Sequence, residues 1–224
     1  MLAGVAARIR KKGFEGPFYR GGLGKLRFLA ESTLWRRELV FAATPGSLAP
    51  APATELPLQI HTLRSFDDVE PFRAGLDEEY YPGYVEPWRD PFGWGETAVV
   101  GTVDGEVACF AWLQRGTAEG FPTYYNRIFA GEARILRVGV VPSFRRRGLN
   151  TLLLHRLLEG LFAEGASRVF IECYQYNVPS ARAFVRVGFQ AVGLITVVEL
   201  PMMNGFIRWA PPGRAAEELR RILT

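Results

Sequence analysis

Cysteine and histidine are scarce in this sequence, and their placement limits the chemistry that the chain supports. The 224 residues include two cysteines, Cys109 and Cys173, and two histidines, His61 and His155. Each cysteine lies within an apolar, strand-like run, which predicts reduced core thiols rather than a disulfide. Neither histidine has another Cys or His at ligand spacing, so we expect no metal site.

Long apolar runs are also missing. No run approaches the ~20 residues that a membrane-spanning helix requires. Basic residues follow the short apolar start of the sequence, and no longer apolar stretch comes after them, which argues against a signal peptide. Hydrophobic residues nevertheless make up 48% of the chain, which is enough for a sizeable core. These features predict a cytoplasmic globular protein.

The net charge of +4 is unevenly distributed. Residues 1–50 carry nine Lys or Arg and three Asp or Glu, so 9 − 3 = +6, which leaves 4 − 6 = −2 for the remainder. A Pro- and Ala-rich stretch, 45–57, marks a boundary. We therefore predict a basic N-terminal extension over 1–50, with a short helix and a strand, and a main domain over 51–224. The extension is either a solvated arm or a contact with anionic lipid, nucleic acid or a partner.

Hydrophobic periodicity predicts an α/β layered fold beyond the boundary. Two apolar runs flank Asp104-Gly105, which is a strong hairpin signal. The Pro-, Gly- and aromatic-rich residues 81–95 are predicted to form a loop that either wraps a ligand or is pinned to the core by its aromatic rings. Strands are predicted at 38–44, 58–63, 97–103, 107–113, 133–141, 168–174, 189–200 and 206–209, and helices at 2–12, 67–80, 149–164, 180–187 and 215–223.

A basic, glycine-containing turn joins one predicted strand to the long apolar helix. The first turn of a helix leaves N–H groups unpaired, and its dipole places partial positive charge there, so this turn suits an anion. Glycine allows close backbone approach, and the arginines suit a pyrophosphate. Taken alone, the turn is equally well explained as a solvated basic loop. Its sequence is Val140-Val141-Pro142-Ser143-Phe144-Arg145-Arg146-Arg147-Gly148-Leu149-Asn150-Thr151.

A second segment removes most of that ambiguity. It is a strand and helix with the sequence Ile171-Glu172-Cys173-Tyr174-Gln175-Tyr176-Asn177-Val178-Pro179-Ser180-Ala181-Arg182-Ala183-Phe184-Val185-Arg186-Val187-Gly188-Phe189. Together the two segments resemble the GCN5-related N-acetyltransferase (GNAT) family. That family combines Val-x-Pro and Arg/Gln-x-x-Gly-x-Gly/Ala with a later strand ending in Glu, an Asn five residues on, an aromatic helix and Gly-Phe. The resemblance covers roughly 58–200. It implies an α/β fold whose mixed, mostly antiparallel sheet contains a splayed parallel strand pair and is flanked by helices.

The resemblance also implies a donor site. Acetyl-CoA, or another acyl-CoA, would be the acyl donor, and no metal would take part. Its pantetheine arm would lie between the splayed strands, its pyrophosphate would bind at the basic turn, and Asn177 with the helix after it would line the other side. The implied donor-binding residues are Val138, Gly139, Val140, Arg145, Arg146, Arg147, Gly148, Leu149, Asn150, Thr151, Asn177, Ser180 and Phe184.

Two departures and two candidate bases follow from the comparison with the family pattern. Asn150 stands where the family has Gly or Ala, and Phe184 stands where many members have a Tyr that is proposed to protonate the thiolate. Glu172 occupies the position of the Glu base of some protein N-terminal acetyltransferases, and it is our first candidate base. The position of the histone-type base holds Arg134. Glu132 lies two residues before it on the same strand face and is the second candidate.

The sequence therefore predicts transfer of an acetyl group to a primary amine of a small molecule or protein. Two alternatives stay open. The first is a non-catalytic acyl-CoA-binding module, which the absence of a hydroxyl at Phe184 favours. The second is an acyltransferase at an anionic membrane surface, held there by the basic extension, that uses a longer acyl chain or a cell-envelope acceptor. No specific nucleic-acid partner is expected, because the extension has no reader motif.

Overall fold

The computed structural model describes residues 35–53, 56–80, 83–123, 126–198 and 206–223. The chain divides into two compact units. The predicted helix at 2–12 lies outside the described residues, and the predicted boundary near residue 50 stays a prediction. The larger unit comprises Phe41–Glu172 and Pro179–Ala191, and the smaller unit comprises the described residues among 1–40, 173–178 and 192–224.

The secondary structure of the described residues alternates strands and helices, as predicted. The strands are β1 (Trp35–Ala43), β2 (Leu58–Leu63), β3 (Thr97–Val103), β4 (Glu106–Arg115), β5 (Phe121–Pro122), β6 (Arg127–Ile128), β7 (Glu132–Val140), β8 (Arg168–Tyr174), β9 (Gln190–Val198) and β10 (Phe206–Ala210). The helices are α1 (Glu70–Glu79), α2 (Arg89–Gly93), α3 (Leu149–Ala163), α4 (Val178–Arg186) and α5 (Pro212–Leu223).

The larger unit is built on a sheet in the order β2-β3-β4-β7-β8. The first three neighbouring pairs are antiparallel, and β7 and β8 are parallel. Helices flank this sheet, so the predicted fold class is confirmed. The hairpin at Asp104-Gly105 is also confirmed: Val103 pairs with Glu106, and the two turn residues have φ values of 52° and 84°. Two consecutive positive φ angles match the twist of a two-residue hairpin.

One apolar cluster fixes the helices before β3 against this sheet. Alternate residues of β4, Ala108, Phe110 and Trp112, share the cluster with Leu76 of α1 and with Trp88. Because side chains alternate along a strand, these β4 residues define one face of the sheet. Burial of this face is the main apolar contribution that holds α1 and α2 in place.

The prediction of a loop over 81–95 is wrong in part, because the segment contains a 3-10 turn at Glu86–Trp88 followed by α2. Proline is compatible with the first turn of a helix, where its missing N–H has no partner to lose. The rings of Trp88 and Phe92 pack on Trp112, with centroids 5.2 and 4.8 Å away. Most of the segment's rings are therefore pinned to the core, whereas Trp94 is 58% exposed.

The residues after β1 form a strap, 44–49, whose residue Ala49 is held by two residues of the larger unit that lie far apart in sequence. The Ala49 N–H donates to the Val187 carbonyl over 3.2 Å, and the Ala49 carbonyl lies 3.0 Å from Nε2 of buried His155. Gly188 has a φ of 103°, and a Cβ there would come within 1.9 Å of the Ser47 carbonyl oxygen. Only glycine therefore permits this approach.

The smaller unit contains the antiparallel pair of β9 and β10, whose register runs from Phe206↔Val198 to Ala210↔Leu194. In the same unit, the Gln175 N–H donates to the Arg37 carbonyl over 2.9 Å, and the Gln175 side chain donates to Glu218 of α5. Across the ranges that the structure describes, no helix is long and apolar enough to cross a membrane.

Candidate active site

β7 and β8 run side by side over only part of their length. Their parallel ladder begins at Glu132↔Arg168 and ends at Ile135↔Ile171. Beyond that pair β7 continues to Val140 and pairs, among the described strands, with β4 alone. We call β7 residues 136–140 the splayed segment. Among the described strands, its backbone groups on the β8 side have no ladder partner. Apart from the Val140 carbonyl, which accepts a hydrogen bond from Arg145 Nε, they are available to an extended ligand.

A bulge interrupts β7 at the start of the splayed segment. Trp112 of β4 pairs with Leu136 and Phe110 pairs with Gly139, so two residues of β7 oppose one of β4. Arg137 lies in this bulge and has a φ of 47°. That left-handed conformation costs a non-glycine residue about 1–2 kcal/mol. Bulges redirect side chains, and strained backbone is frequent at functional sites.

The basic turn that follows β7 has the backbone of an anion site. A 3-10 turn at Pro142–Phe144 is followed by Arg146 with a φ of 66° and Gly148 with a φ of 80°. The first hydrogen bond of α3 runs from the Leu152 N–H to the Gly148 carbonyl over 3.1 Å. The three residues between Gly148 and Leu152 come before this first bond, so their N–H groups have no acceptor within the helix, and the positive end of the helix dipole lies there.

Arg145 holds the turn against neighbouring elements. Its Nε donates to the Val140 carbonyl over 3.2 Å, and its guanidinium group lies beside Tyr80. Burial raises the pKa of Tyr80, and the charge of Arg145 offsets part of that rise. The Ser143 hydroxyl donates to Glu79 at the end of α1. The C-terminal end of α1 therefore supports the approach to the turn.

These features fit the pyrophosphate of a coenzyme A thioester. The N-terminus of α3 has no side-chain cap, and a Cβ added to Gly148 would meet no atom within 4 Å. The backbone is thus open on the side from which an anion would approach. Arg146 and Arg147 are exposed beside it. Among the described residues, the buried Oδ1 of Asn150 has no hydrogen-bond partner. An amide oxygen accepts hydrogen bonds, so this atom does not contribute to pyrophosphate binding.

A row of polar side chains crosses the sheet beside the start of the splayed segment. Gln114 Nε2 donates to Glu96 Oε1 over 2.6 Å, and Arg134 Nη1 lies 3.4 Å from Gln114 Oε1. Arg134 Nε donates to Glu172 Oε1 over 2.5 Å, with both side chains 7% exposed. Arg137 Nη1 donates to Glu96 Oε2, also over 2.5 Å. Two carboxylates and two guanidinium groups balance one another, as buried charges require.

The structure separates the two candidate bases. Glu172 comes one residue after Ile171, the last β8 residue in the ladder, so it lies where the strands part. Glu132 starts β7 at the opposite end of the ladder. Its Oε2 accepts the Phe129 N–H over 3.0 Å, and its Oε1 lies 3.7 Å from Arg168 Nη1.

The remaining predicted donor-binding residues differ in exposure. Phe184 is 3% exposed, and its ring packs 5.3 Å from Phe41 and 5.9 Å from Phe189. Leu149 is also buried, so the part of it near a ligand is its backbone. Ser180 is half-buried in the first turn of α4. In the smaller unit, the Asn177 N–H donates to the Tyr174 carbonyl over 2.8 Å.

Sequence reasoning missed the polar row as a unit. Glu96, Gln114 and Arg137 were not candidates, because their separations in the chain match no known motif. A signal was nevertheless present. Gln114 and Arg134 interrupt apolar strands, and a polar side chain within a buried strand needs a partner on a neighbouring strand. Which residue is that partner depends on the strand register, and the register is visible only in the folded sheet.

The comparisons with known proteins agree with this geometry. The model of the acetyltransferase (GNAT) family matches residues 61–189, which is more than half of the chain. The chain therefore belongs to the GNAT acetyltransferase family, whose members in general use acetyl-CoA or another acyl-CoA. No curated protein matches the chain.

Several solved structures share the fold at low sequence identity. A GNAT-family acetyltransferase from Colwellia psychrerythraea is 16% identical with a TM-score of 0.52, over 79% of this chain and 62% of that one. A GCN5-related N-acetyltransferase from Sphaerobacter thermophilus is 16% identical with a TM-score of 0.50, over 86% and 57%. The glucosamine N-acetyltransferase region of a fungal multi-domain β-N-acetylglucosaminidase is 11% identical with a TM-score of 0.53, over 78% and 22%. The chain thus spans about three fifths of the two bacterial proteins.

Proposed function

We propose that this protein is an N-acyltransferase that transfers the acetyl group of acetyl-CoA to a primary amine. One observation carries the proposal: the splayed segment of β7 leads directly into the open, uncapped N-terminus of α3. The unpaired strand backbone suits the amides of the pantetheine arm. The turn after it suits the pyrophosphate. Acetyl-CoA would then lie along β7 with its thioester towards the bulge.

Direct attack by the amine accounts for the residues near the bulge. A neutral amine adds to the thioester carbonyl, the C–S bond breaks, and the sulfur departs as thiolate. A primary ammonium group has a pKa near ~10, so the amine must lose a proton before or during attack. We propose that Glu172 accepts this proton, directly or through a water, because its carboxylate lies where β7 and β8 part.

A pair of glycine variants tests donor binding. Gly148 and Gly165 both have positive φ, 80° and 94°, and neither would place a Cβ within 4 Å of another atom. Valine at either position strains the backbone to a similar degree. At Gly148 the side chain would also occupy the side of the turn that faces the pyrophosphate. We expect Gly148→Val to abolish acetyl-CoA binding in calorimetry and Gly165→Val to retain it.

Equal affinity in the two variants would refute the donor-site assignment. Turnover is a separate measurement, made as free thiol released from acetyl-CoA in the presence of a panel of amines. Acetyl-CoA binding without thiol release for any amine would instead support the binding-module alternative. The buried Phe184 is the observation that favours this alternative, because its ring has no proton to give the thiolate.

A further inference from the structure

Arg137 is fixed in one orientation by contacts on two of its sides. Its Nη1 donates to Glu96 Oε2 over 2.5 Å, and the Glu96 side chain is only 3% exposed. Its guanidinium carbon lies 5.5 Å from the centre of the Trp112 ring, so the group is also supported by a cation–π contact. A guanidinium group held at one edge and one face has lost most of its rotational freedom.

The rest of the Arg137 side chain is available for binding. It is 44% exposed. Among the residues that the structure describes, the hydrogen bond to Glu96 and the contact with Trp112 are its only polar or ring contacts. The outer N–H donors of the fork therefore have no partner among the described residues. A fork with free, fixed donors is the geometry that binds a carboxylate through two parallel hydrogen bonds.

Arg137 adopts a strained backbone, which a merely structural ion pair does not require. Its φ of 47° lies in the left-handed region. Gln114 already donates to the other oxygen of Glu96. An arginine elsewhere in the sheet would neutralise the Glu96 carboxylate without requiring a strained backbone. The bulge that holds this strained residue lies at the start of the splayed segment. Strain of this kind is concentrated at ligand-binding positions.

Arg137 lies close to where the acceptor amine would bind. The proposed thioester end of the donor lies at the bulge, and Arg137 follows the last β7–β8 pair, Ile135↔Ile171, by two residues. Glu172 follows the same pair by one residue on the neighbouring strand. A positive and a negative side chain therefore flank the point where the strands part. A zwitterion that carries its amine close to a carboxylate matches this pair of charges in sign.

We propose that Arg137 binds the carboxylate of the acceptor, so that the acceptor class is small amines bearing a carboxylate next to the amine, such as free amino acids. This inference rests on the proposed N-acyltransferase function. A carboxylate fits better than a dianionic phosphate, because the neighbouring Glu96 carries a negative charge of its own and would repel the second charge of a phosphate.

The test compares amino acids with their carboxamides. The wild-type protein is assayed with acetyl-CoA and with leucine, methionine or phenylalanine, each against its own carboxamide. We expect a lower KM for the acids. Arg137→Asn keeps a residue that tolerates positive φ and removes the fork. Loss of two charge-assisted hydrogen bonds should raise the KM of the acids about 10–100-fold and abolish the preference over the amides. Acetyl-CoA affinity should not change.

Two further variants control for folding and charge. Arg137→Lys keeps a positive charge beside Glu96 but not the fork, so it should fold and should lose most of the preference; it decides the question if Arg137→Asn does not fold. Arg156→Gln removes another exposed arginine, which is paired with Glu159 on α3, and should keep the wild-type preference. A wild-type enzyme that prefers the amides, or an Arg137→Lys enzyme that keeps the full preference for the acids, would overturn the inference.

Failure of the proposed function gives a different result. If no amine of the panel is acetylated although acetyl-CoA binds, calorimetric titration of the CoA-saturated protein with the same acids and amides decides the role of Arg137 without catalysis. Binding of the acids that is weakened in Arg137→Lys supports the site. Absence of binding, or binding that is equal in both proteins, refutes it.

Discussion

Glu172 is the residue on which the proposed chemistry depends most, and its ion pair with Arg134 gives it a second, structural role. General base catalysis contributes ~10²–10⁴-fold, so Glu172→Gln should lower turnover by that range and leave acetyl-CoA affinity unchanged. Raising the pH should restore part of the rate, because more of the amine is then already neutral. A purely structural role would lower stability without this rescue.

The stability of the Glu172 variant is a separate measurement. Breaking a buried pair by changing one partner costs about 3–5 kcal/mol, so kinetics must be measured below the melting temperature of the variant. Glu132→Gln tests the second candidate base: because Glu132 lies at the opposite end of the β7–β8 ladder, its replacement should leave turnover unchanged if Glu172 is the base. Full activity of Glu172→Gln at every pH would move the base elsewhere, with Glu132 the next residue to test.

Cys109 should be inert, for a reason that also affects stability at high pH. Burial raises the pKa of its thiol from 9.0 to about 12. Because the thiolate is the reactive form, we expect no alkylation by iodoacetamide in the native protein at neutral pH and complete alkylation in denaturant, measured by mass spectrometry. Rapid native labelling would contradict this burial.

The raised pKa of Cys109 also predicts the direction in which the stability of the fold changes with pH. The folded thiol keeps its proton up to a higher pH than the unfolded one, so its contribution is fully present below pH 9 and is lost as the pH rises towards about 12. The denaturation midpoint should fall through that window. The denaturation midpoint of Cys109→Ala should fall less steeply over this pH range than that of the wild-type protein, once the difference between their midpoints at neutral pH has been subtracted.

At the scale of elements, the segment from Tyr84 to Gly95 contains two tryptophans with opposite surroundings. Trp88 is buried against Phe110 and Trp112, and Trp94 is 58% exposed. Trp88→Ala should lower the free energy of unfolding by about 3–5 kcal/mol, as large-to-small core changes do. Trp94→Ala should change stability much less, because most of the Trp94 side chain is exposed and substitutions at the surface have small effects.

Trp94→Ala has a second readout. We predict that residues 81–95, expected from the sequence to wrap a ligand or pack on the core, form one wall of the acceptor pocket. The exposed ring two residues before Glu96 is the part of this segment most available to an acceptor. The prediction is a raised KM for the amine with unchanged acetyl-CoA affinity. A Trp94→Ala enzyme with wild-type kinetics for every amine that it acetylates would argue against the wall.

Elements whose chemistry is local could be predicted from the sequence, and elements that depend on register could not. Asp104-Gly105 predicted its hairpin because few other residues accept two positive φ angles. The apolar period of α3 predicted a helix that is buried along most of its length. Gly139 beside the bulge is a weak local signal for an irregularity in β7, but nothing in the local sequence predicts that Arg137 adopts the left-handed conformation. The polar row from Glu96 to Glu172 likewise joins residues of four segments that meet only through strand pairing.

At the scale of the whole molecule, the charge is concentrated at the N-terminal end of the sequence. Residues 8–12 contain four basic residues, Arg8, Arg10, Lys11 and Lys12. Near an anionic bilayer each contributes about 1 kcal/mol, and a total of about 4 kcal/mol corresponds to a roughly millimolar dissociation constant. That is too weak for stable anchoring without a second signal. We therefore expect no co-sedimentation with phosphatidylserine-containing vesicles at physiological salt.

A variant with these four residues changed to Gln controls the vesicle experiment. Co-sedimentation of the wild-type protein that the variant loses would favour the membrane-surface alternative. Acetyl-CoA affinity should be the same in both proteins, because the proposed donor site lies on the turn before α3. A change in affinity would mean that the extension reaches that site.

The strap over 44–49 has a consequence during synthesis on the ribosome. The Ala49 N–H donates a hydrogen bond to the Val187 carbonyl. Val187 is translated 187 − 49 = 138 residues after Ala49. At 5–20 residues per second this interval lasts about 7–28 s. The strap cannot dock during that time, and the close fit of Ser47 on Gly188 forms only when nearly all of the larger unit has left the exit tunnel. The contact between Ser47 and Gly188 is therefore missing from the nascent chain for seconds, and a bulkier residue at Gly188 should reduce the yield of folded protein made at the ribosome more than the yield obtained by slow refolding from denaturant.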